Sequence, residues 1–209
     1  MFGTFRTWAI CLLLTFPAAV AAQDQTTTGE QSSADGNDPA AAAGLSMGAP
    51  EGEAGEPQIG QTYVAEKHGD WQLRCVKSDG EKDPCQLYQL LLDGEGNSVA
   101  EFSIFNLPEG QQAVAGATVV TPLETLLTAE LRLRVDEGQV RRYPYSFCSQ
   151  IGCFARIGFT QVEIDAFKAG AAGTVVIVPA AAPNEVVQLK VSLSGFTAGW
   201  NALVAANAQ

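Results

Sequence analysis

The sequence predicts an all-β domain, mainly an antiparallel β-sandwich, with one or two short helices. From residue 61 onward, apolar and polar residues alternate with a period of two over short runs, which is typical of half-buried strands. Clusters of turn-forming residues, such as "DGEGN" at residues 93–97, separate these runs. Strands at short intervals with turns between them indicate an antiparallel sandwich or barrel.

The predicted strands follow one another along the chain. In the first, Trp71, Leu73 and Cys75 alternate with polar residues, so that one face is buried. Pro144 lies inside the sixth and predicts an edge strand or an irregular one, because proline has no N–H to donate. The runs are "GDWQLRCV", "CQLYQLLLD", "SVAEFSIFNL", "AVAGATVVT", "TAELRLRVD", "VRRYPYSFC", "CFARIGF", "GTVVIVPA" and "VVQLKVSL".

Two helices interrupt this pattern. Thr160 with Glu163 three residues later forms a capping box, and Gly170 is a stop signal. The second helix is predicted near the C-terminus because four apolar residues have helical spacing. These are Phe196, Trp200, Leu203 and Val204.

Residues 1–22 have the pattern of a signal peptide. Arg6 precedes an apolar run at residues 8–16, and small residues lead to a predicted cleavage after Ala22, with Ala21 as the alternative. The run is too short to span a bilayer, which takes about 20 residues in a helix. We therefore expect an exported protein without a transmembrane span, periplasmic or secreted.

Residues 23–60 form an acidic segment rich in Ala, Gly, Ser and Pro. It has seven acidic residues, no Lys or Arg and no aromatic residue, so it offers little to bury and is predicted to be disordered. The remaining residues, 61–209, are predicted to form a single domain. They contain eleven basic and sixteen acidic residues, a net charge of −5, which argues against nucleic acid as a partner.

Four cysteines remain after the signal peptide, and an even number in an exported chain predicts two disulfides. We favour Cys75–Cys85 and Cys148–Cys153, because each pair encloses turn-forming residues. Four cysteines allow three pairings, and sequence alone does not choose among them. Nine residues between Cys75 and Cys85 do not suit a zinc site, and no C-x-x-C motif is present. No metal and no cofactor are expected.

The sequence offers few of the residue combinations that catalysis requires. His68 is the one histidine and is predicted to be an exposed loop residue, so triads and imidazole-rich sites are not expected. Ser194 lies in "SLSGF", which lacks the nucleophile-elbow pattern. We predict no catalytic residue and a protein that is not an enzyme. The alternative is a hydrolase-like enzyme of unfamiliar type that uses scattered carboxylates.

Several motifs together resemble the invasion-associated locus B family. They are "GDWQLRC" with a second cysteine ten residues further on, "LRLRVDEGQVRRYPYSFCSQIGC", and "LKVSLSGFTAGWNAL". The resemblance covers nearly all of residues 63–203 and implies a small, exported, disulfide-bearing β-sandwich protein of proteobacteria. Some members of the family in intracellular bacteria are linked to entry into host cells. The resemblance implies no catalytic residue, and the acidic segment is not part of the family pattern.

Four arginines on one predicted hairpin are the candidate binding site. If Leu131 and Leu133 face the core, Arg132 and Arg134 face solvent. One arginine of the neighbouring strand, Arg141 or Arg142, should lie on the same face. Such a patch binds phosphate or carboxylate groups. The expected partner is a protein, glycan or lipid head group in the envelope or on a host cell. The alternative is solvated side chains, some neutralised by Asp136 and Glu137.

Overall fold

A computed structural model describes residues 56–208, and in this part of the chain the fold is all-β with two short α-helices, as the sequence predicts. The predicted signal peptide and most of the predicted acidic segment lie outside the described residues. The strands are β1 (Thr62–His68), β2 (Trp71–Val76), β3 (Cys85–Leu92), β4 (Ser98–Asn106), β5 (Ala115–Thr121), β6 (Leu131–Val135), β7 (Arg141–Tyr143), β8 (Tyr145–Ser149), β9 (Gly152–Phe159), β10 (Ala172–Ile177) and β11 (Val187–Ser192). The helices are α1 (Gln161–Ala169) and α2 (Phe196–Asn207), and a 3-10 turn (Leu127–Ala129) precedes β6.

The strands form one antiparallel sheet in the order β7-β6-β10-β11-β3-β4-β5-β9-β8, and β1 and β2 extend from β3. The two ends of this order, β7 and β8, are consecutive in the chain and are separated by Pro144 alone. Tyr143 pairs with Leu131 of β6, whereas Tyr145 pairs with Ala155 of β9. The strand changes partner at Pro144, which has no N–H for either ladder. This single segment makes the sheet a nearly closed barrel.

The core contains an aromatic cluster contributed by distant parts of the chain. Trp71 of β2 is fully buried and makes edge contacts with Phe102 of β4 at 5.8 Å and with Phe196 of α2 at 5.3 Å between ring centroids. Trp200, one turn further along α2, is 7% exposed and lies 6.1 Å from Phe196. The cluster therefore holds α2 against the sheet through the residues that the helical spacing indicates. Val204, the fourth of that set, is 40% exposed.

The first helix begins with the predicted capping box. The Glu163 carboxylate accepts hydrogen bonds from the backbone N–H and the hydroxyl of Thr160, both at 2.8 Å. Ile164 and Phe167 of this helix are buried against the sheet. Neither helix of the described residues has the length and apolar character needed to cross a membrane.

Both favoured disulfides are present, Cys75–Cys85 between β2 and β3 and Cys148–Cys153 between β8 and β9. Each joins two residues that stand directly opposite one another in a ladder, with the two Cα atoms 4.0 Å apart. Gly152 precedes the last cysteine with φ +146°, and a Cβ there would lie 2.5 Å from the carbonyl oxygen of Thr121. Only glycine fits where this stapled hairpin crosses the end of β5.

One strand was not predicted from the sequence. Both faces of most of β1 are exposed, and it pairs with β2 alone. Its sequence therefore lacks the alternation of apolar and polar residues that predicts a half-buried strand. The expectation that His68 is an exposed loop residue is wrong. It ends β1 with a side chain only 20% exposed, and its Nε2 lies 2.8 Å from Oε2 of Glu66.

Strands β2 and β11 meet end to end along one edge of β3. Residues 85–88 of β3 pair with β2, and Leu92 pairs with Lys190 of β11. Between them, Gln89 is 6% exposed. Its Oε1 accepts the Ser192 N–H at 2.8 Å, and its Nε2 donates to the carbonyl oxygens of Ser192 and Asp70 at 3.0 and 3.3 Å. One side chain thus replaces the ladder bonds that are missing at this junction.

Replacing Trp71 with alanine tests the aromatic cluster. We expect Trp71→Ala to lower the free energy of unfolding by about 3–5 kcal/mol, because it leaves a cavity and removes the indole hydrogen bond to the Ser192 carbonyl. Urea unfolding measures the change. Phe147→Ala is the control, since Phe147 is 44% exposed and should cost much less. Equal losses in the two variants would contradict this account of the core.

Candidate functional site

The β6–β7 hairpin separates its leucines from its arginines. Leu131 and Leu133 are at most 3% exposed and face the core. Arg132 and Arg134 alternate with them and lie on the outer face of the sheet, where both are half-buried. The alternation in "LRLRV" therefore determines which side chains meet solvent.

The strand register sorts the two arginines of β7. Arg142 stands directly opposite Arg132, whereas Arg141 stands opposite Leu133. Residues that face each other in an antiparallel ladder share a face, so Arg142 joins the outer face and Arg141 does not. Arg141 instead turns toward α1, and its Nε lies 2.9 Å from Oε1 of Glu163. Three of the four predicted arginines come together.

A lysine from a distant strand completes this surface. Thr174 of β10 pairs with Arg134 on one side and with Lys190 of β11 on the other. Arg132, Arg134, Arg142 and Lys190 therefore lie on one surface of four neighbouring strands, which we call the basic face. Sequence reasoning missed Lys190. The alternation in "VQLKVS" shows that it is exposed, but not that β11 lies two strands away from β6.

The basic face has little neutralisation from acidic neighbours. Nη1 of Arg134 is 3.9 Å from a carboxylate oxygen of Glu137, whose side chain is 97% exposed, and such pairs contribute little. The Asp136 carboxylate instead accepts the backbone N–H groups of Ala171 and Ala172 at 3.0–3.2 Å. No acidic residue occupies an outward position on β6, β7, β10 or β11.

The pairing of Arg132 with Arg142 is unfavourable by itself. Like charges directly opposite each other in a ladder repel, and the sheet holds these two in that arrangement. The Nε of Arg132 is also shielded from solvent and has no hydrogen-bond partner among residues 56–208. An anion bound between the two guanidinium groups would reduce the repulsion and accept hydrogen bonds from their terminal N–H groups.

The hairpin that carries the arginines is held in place from its inner side. Glu163 of α1 binds Arg141, and it also lies beside Tyr143, whose ring packs 6.4 Å from Phe159. Burial raises the pKa of Tyr143 to about 12, and the negative charge of Glu163 adds to this effect. The Tyr143 hydroxyl therefore stays protonated under ordinary conditions.

The described residues do not assemble a recognisable catalytic centre. The imidazole of His68 contacts Glu66, with no hydrogen bond to Ser194 in this part of the chain. Hydrogen bonds lower the pKa of two carboxyls, Asp83 through the Ser78 N–H and Asp93 through Asn97. Each belongs to a separate surface turn. Within residues 56–208, no three His, Cys, Asp or Glu side chains are placed to hold a metal ion.

Fold and site together define a small disulfide-stapled, nearly closed antiparallel barrel with a basic outer face. Residues 71–204 match the family model described as "Invasion associated locus B (IalB) protein". The chain belongs to this family, as its motifs indicate.

Known relatives agree with this assignment. The chain is 25% identical over 140 residues to two proteins of Brucella abortus, "Invasion protein B homolog BAB1_0368" of strain 2308 and "Invasion protein B homolog BruAb1_0366" of biovar 1 strain 9-941. Each match covers 66% of this chain and 78% of the relative. A crystal structure of invasion associated protein B from Bartonella henselae superposes with a TM-score of 0.57 at 26% identity, over 67% of this chain and 95% of that one.

The environment of Tyr143 makes a prediction about stability at high pH. The unfolded chain releases this proton near its ordinary pKa of 10, whereas the folded protein keeps it to about 12. The native state therefore binds more protons in this window, and stability falls as pH rises through it. We expect urea unfolding to show a smaller fall between about pH 10 and about pH 12 in Tyr143→Phe.

A comparison of the two proteins at neutral pH separates the direct cost of losing the hydroxyl from this pH dependence. Identical slopes of stability against pH in wild type and variant would show that Tyr143 ionises equally in both states.

Proposed function

We propose that this protein is an exported interaction module, without catalytic activity, that binds anionic groups outside the inner membrane through its basic face. The observation that carries the proposal is the register that aligns Arg132 with Arg142 on one surface of the sheet, beside Arg134. Lys190 joins them across β10.

The chemistry of these side chains suits oxyanions. A guanidinium group presents paired N–H donors that match phosphate, sulfate or carboxylate oxygens, and such charged hydrogen bonds are stronger than neutral ones. Arg132 and Arg134 lie two residues apart on one strand, roughly 6.8 Å along it, and Arg142 lies one strand spacing of roughly 4.8 Å from Arg132. The face therefore suits a ligand with more than one anionic group.

The context outside the inner membrane comes from other features. The N-terminal signal-peptide pattern supports export, and two disulfides suit an oxidising compartment. The names of the relatives associate those proteins with invasion. By extension, we propose that this chain acts in the envelope or at the cell surface during contact with a host cell.

A double substitution on the basic face tests the proposal. We expect Arg132→Ala combined with Arg134→Ala to weaken binding to isolated envelope fractions about tenfold at low salt, because two charge-assisted contacts are lost. Binding of the wild type should itself weaken at moderate salt, as screening reduces attraction between exposed charges.

A matched control removes the same charge elsewhere. Lys67→Ala combined with Lys82→Ala also lowers the net charge by two, at exposed positions in β1 and in the β2–β3 loop. It should bind like the wild type. Both double variants should keep their stability within about 0.5 kcal/mol per surface site. Equal weakening in the two variants would assign the effect to net charge and remove the basic face as a site.

A further inference from the structure

A cleft of about 750 Å³ opens on the outer surface where β2 and β11 meet along β3. It exists because neither strand covers the middle of β3, and Gln89 fills the junction from the core side. Leu90 and Leu92 are 44% and 42% exposed and face this side of the sheet. The other lining groups are mostly polar and comprise three carboxylates, two cations and further hydrogen-bonding side chains, namely Asp70, Asp93, Glu95, Arg74, Lys190, Gln72, Tyr88, Gln89 and Ser192.

These polar groups are held in position by their neighbours. The Arg74 guanidinium lies over the Tyr88 ring, 3.2 Å from its centroid, and its Nε donates to Oε1 of Gln72 at 2.9 Å. The Gln72 amide nitrogen has no hydrogen bond within the described residues, so both of its N–H groups are available. At the junction of β2 with β11, the Asp70 carboxylate accepts the Ser192 hydroxyl.

The mixture of donors and acceptors identifies the ligand chemistry. Arg74, Lys190 and Gln72 donate hydrogen bonds, whereas carboxylates accept them. Among the carboxylates of the cleft, Asp93 already accepts hydrogen bonds within its own turn, and Asp70 and Glu95 are the other two. A hydroxyl group does both, so a sugar ring with several hydroxyls can satisfy all of these groups together. A phosphate group only accepts at neutral pH, and Asp70 would repel it. The exposed leucines offer an apolar surface for the C–H groups of a sugar ring.

Lys190 connects the cleft with the basic face. It pairs with Thr174 on the side of the arginines and with Leu92 on the side of the cleft. From β6 to β3 is three strand spacings, about 14 Å. A chain-like ligand can therefore lie across both surfaces, with its charged groups on the arginines and its hydroxyls in the cleft.

We infer that the cleft and the basic face together bind an acidic glycan, with the cleft selecting sugar over other polyanions. This inference rests on the proposed function for its charged part. The cleft adds a contribution to binding that does not depend on net charge.

Two probes with matched charge separate the two contributions, a fluorescent heparin-derived oligosaccharide and an inorganic polyphosphate, each titrated by anisotropy at low and moderate salt. We expect the wild type to bind the oligosaccharide more tightly, and to retain more of that binding at moderate salt. Gln72→Ala should weaken oligosaccharide binding about fivefold, the effect of one or two lost hydrogen bonds, and leave polyphosphate binding unchanged. Gln188→Ala is the matched control, because Gln188 is exposed on the same face outside the cleft.

Asp70→Asn gives opposite signs for the two probes. Removing a negative charge should strengthen polyphosphate binding, whereas losing the charged acceptor for sugar hydroxyls should weaken oligosaccharide binding. Thermal unfolding of each variant shows whether a loss of binding comes from misfolding. If Asp70→Asn does not fold, Gln72→Ala still tests the cleft, because it leaves the net charge unchanged.

The outcomes distinguish this inference from the proposed function. If Asp70→Asn strengthens both probes and Gln72→Ala weakens neither, the cleft does not select sugar, although the basic face still binds anions. If phosphatidylglycerol vesicles and polyphosphate bind to the wild type as tightly as the oligosaccharide does, the cleft again does not select sugar. If Arg132→Ala with Arg134→Ala weakens neither probe, the proposed function itself fails.

Discussion

The amide side chain of Gln89 joins two strands that do not pair with each other, and the rest of the structure depends on that junction. Two turns cross at this point, each with a glycine at positive φ, Gly69 at +57° and Gly195 at +82°. A Cβ on Gly69 would lie 2.5 Å from the Ser194 carbonyl oxygen, and one on Gly195 would collide with the His68 carbonyl. Any larger residue would force the turns apart and break the hydrogen bonds around Ser192. The "GDW" and "SLSGF" motifs are therefore two halves of one contact between the beginning and the end of the domain.

This junction also places the candidate site. Because β2 and β11 share one edge of β3, the outer surface has a cleft at the gap between them, and β11 carries Lys190 from the cleft toward the arginines. The opposite end of the surface is set by Pro144, where the chain leaves β6 and joins β9. The basic face therefore lies between the two places where the barrel departs from regular pairing. A regular ladder would have produced neither the cleft nor the closure.

Local pattern predicted much of this structure, and long-range pairing decided the rest. Alternation of apolar and polar residues predicts the face of each side chain, so the core position of Trp71 and the outward position of Arg132 followed from the sequence. It does not give strand order, and so Lys190 was missed and the two arginines of β7 were not separated. Strand β1 was not predicted, because an edge strand exposed on both faces has no apolar face and so no alternating pattern in its sequence. The choice of disulfide partners rested on turn residues, and the ladders explain it, since both pairs are directly opposed.

The charge distribution of the domain favours anions at one surface alone among the described residues. Residues 61–209 carry a net charge of −5, so the domain as a whole repels a polyanion, and salt screens this repulsion beyond about one Debye length, roughly 8 Å at physiological salt. Attraction is confined to the basic face, where the sheet holds Arg132 against Arg142 at a cost in repulsion. Nothing in the packing of the barrel requires that pair, because a neutral side chain on the outer face of either strand would fit the same ladder. The ion pair from Arg141 to Glu163 supports the same hairpin from the inner side. The proposed binding of an anion would account for a hairpin that is fixed at its base with its like charges turned outward.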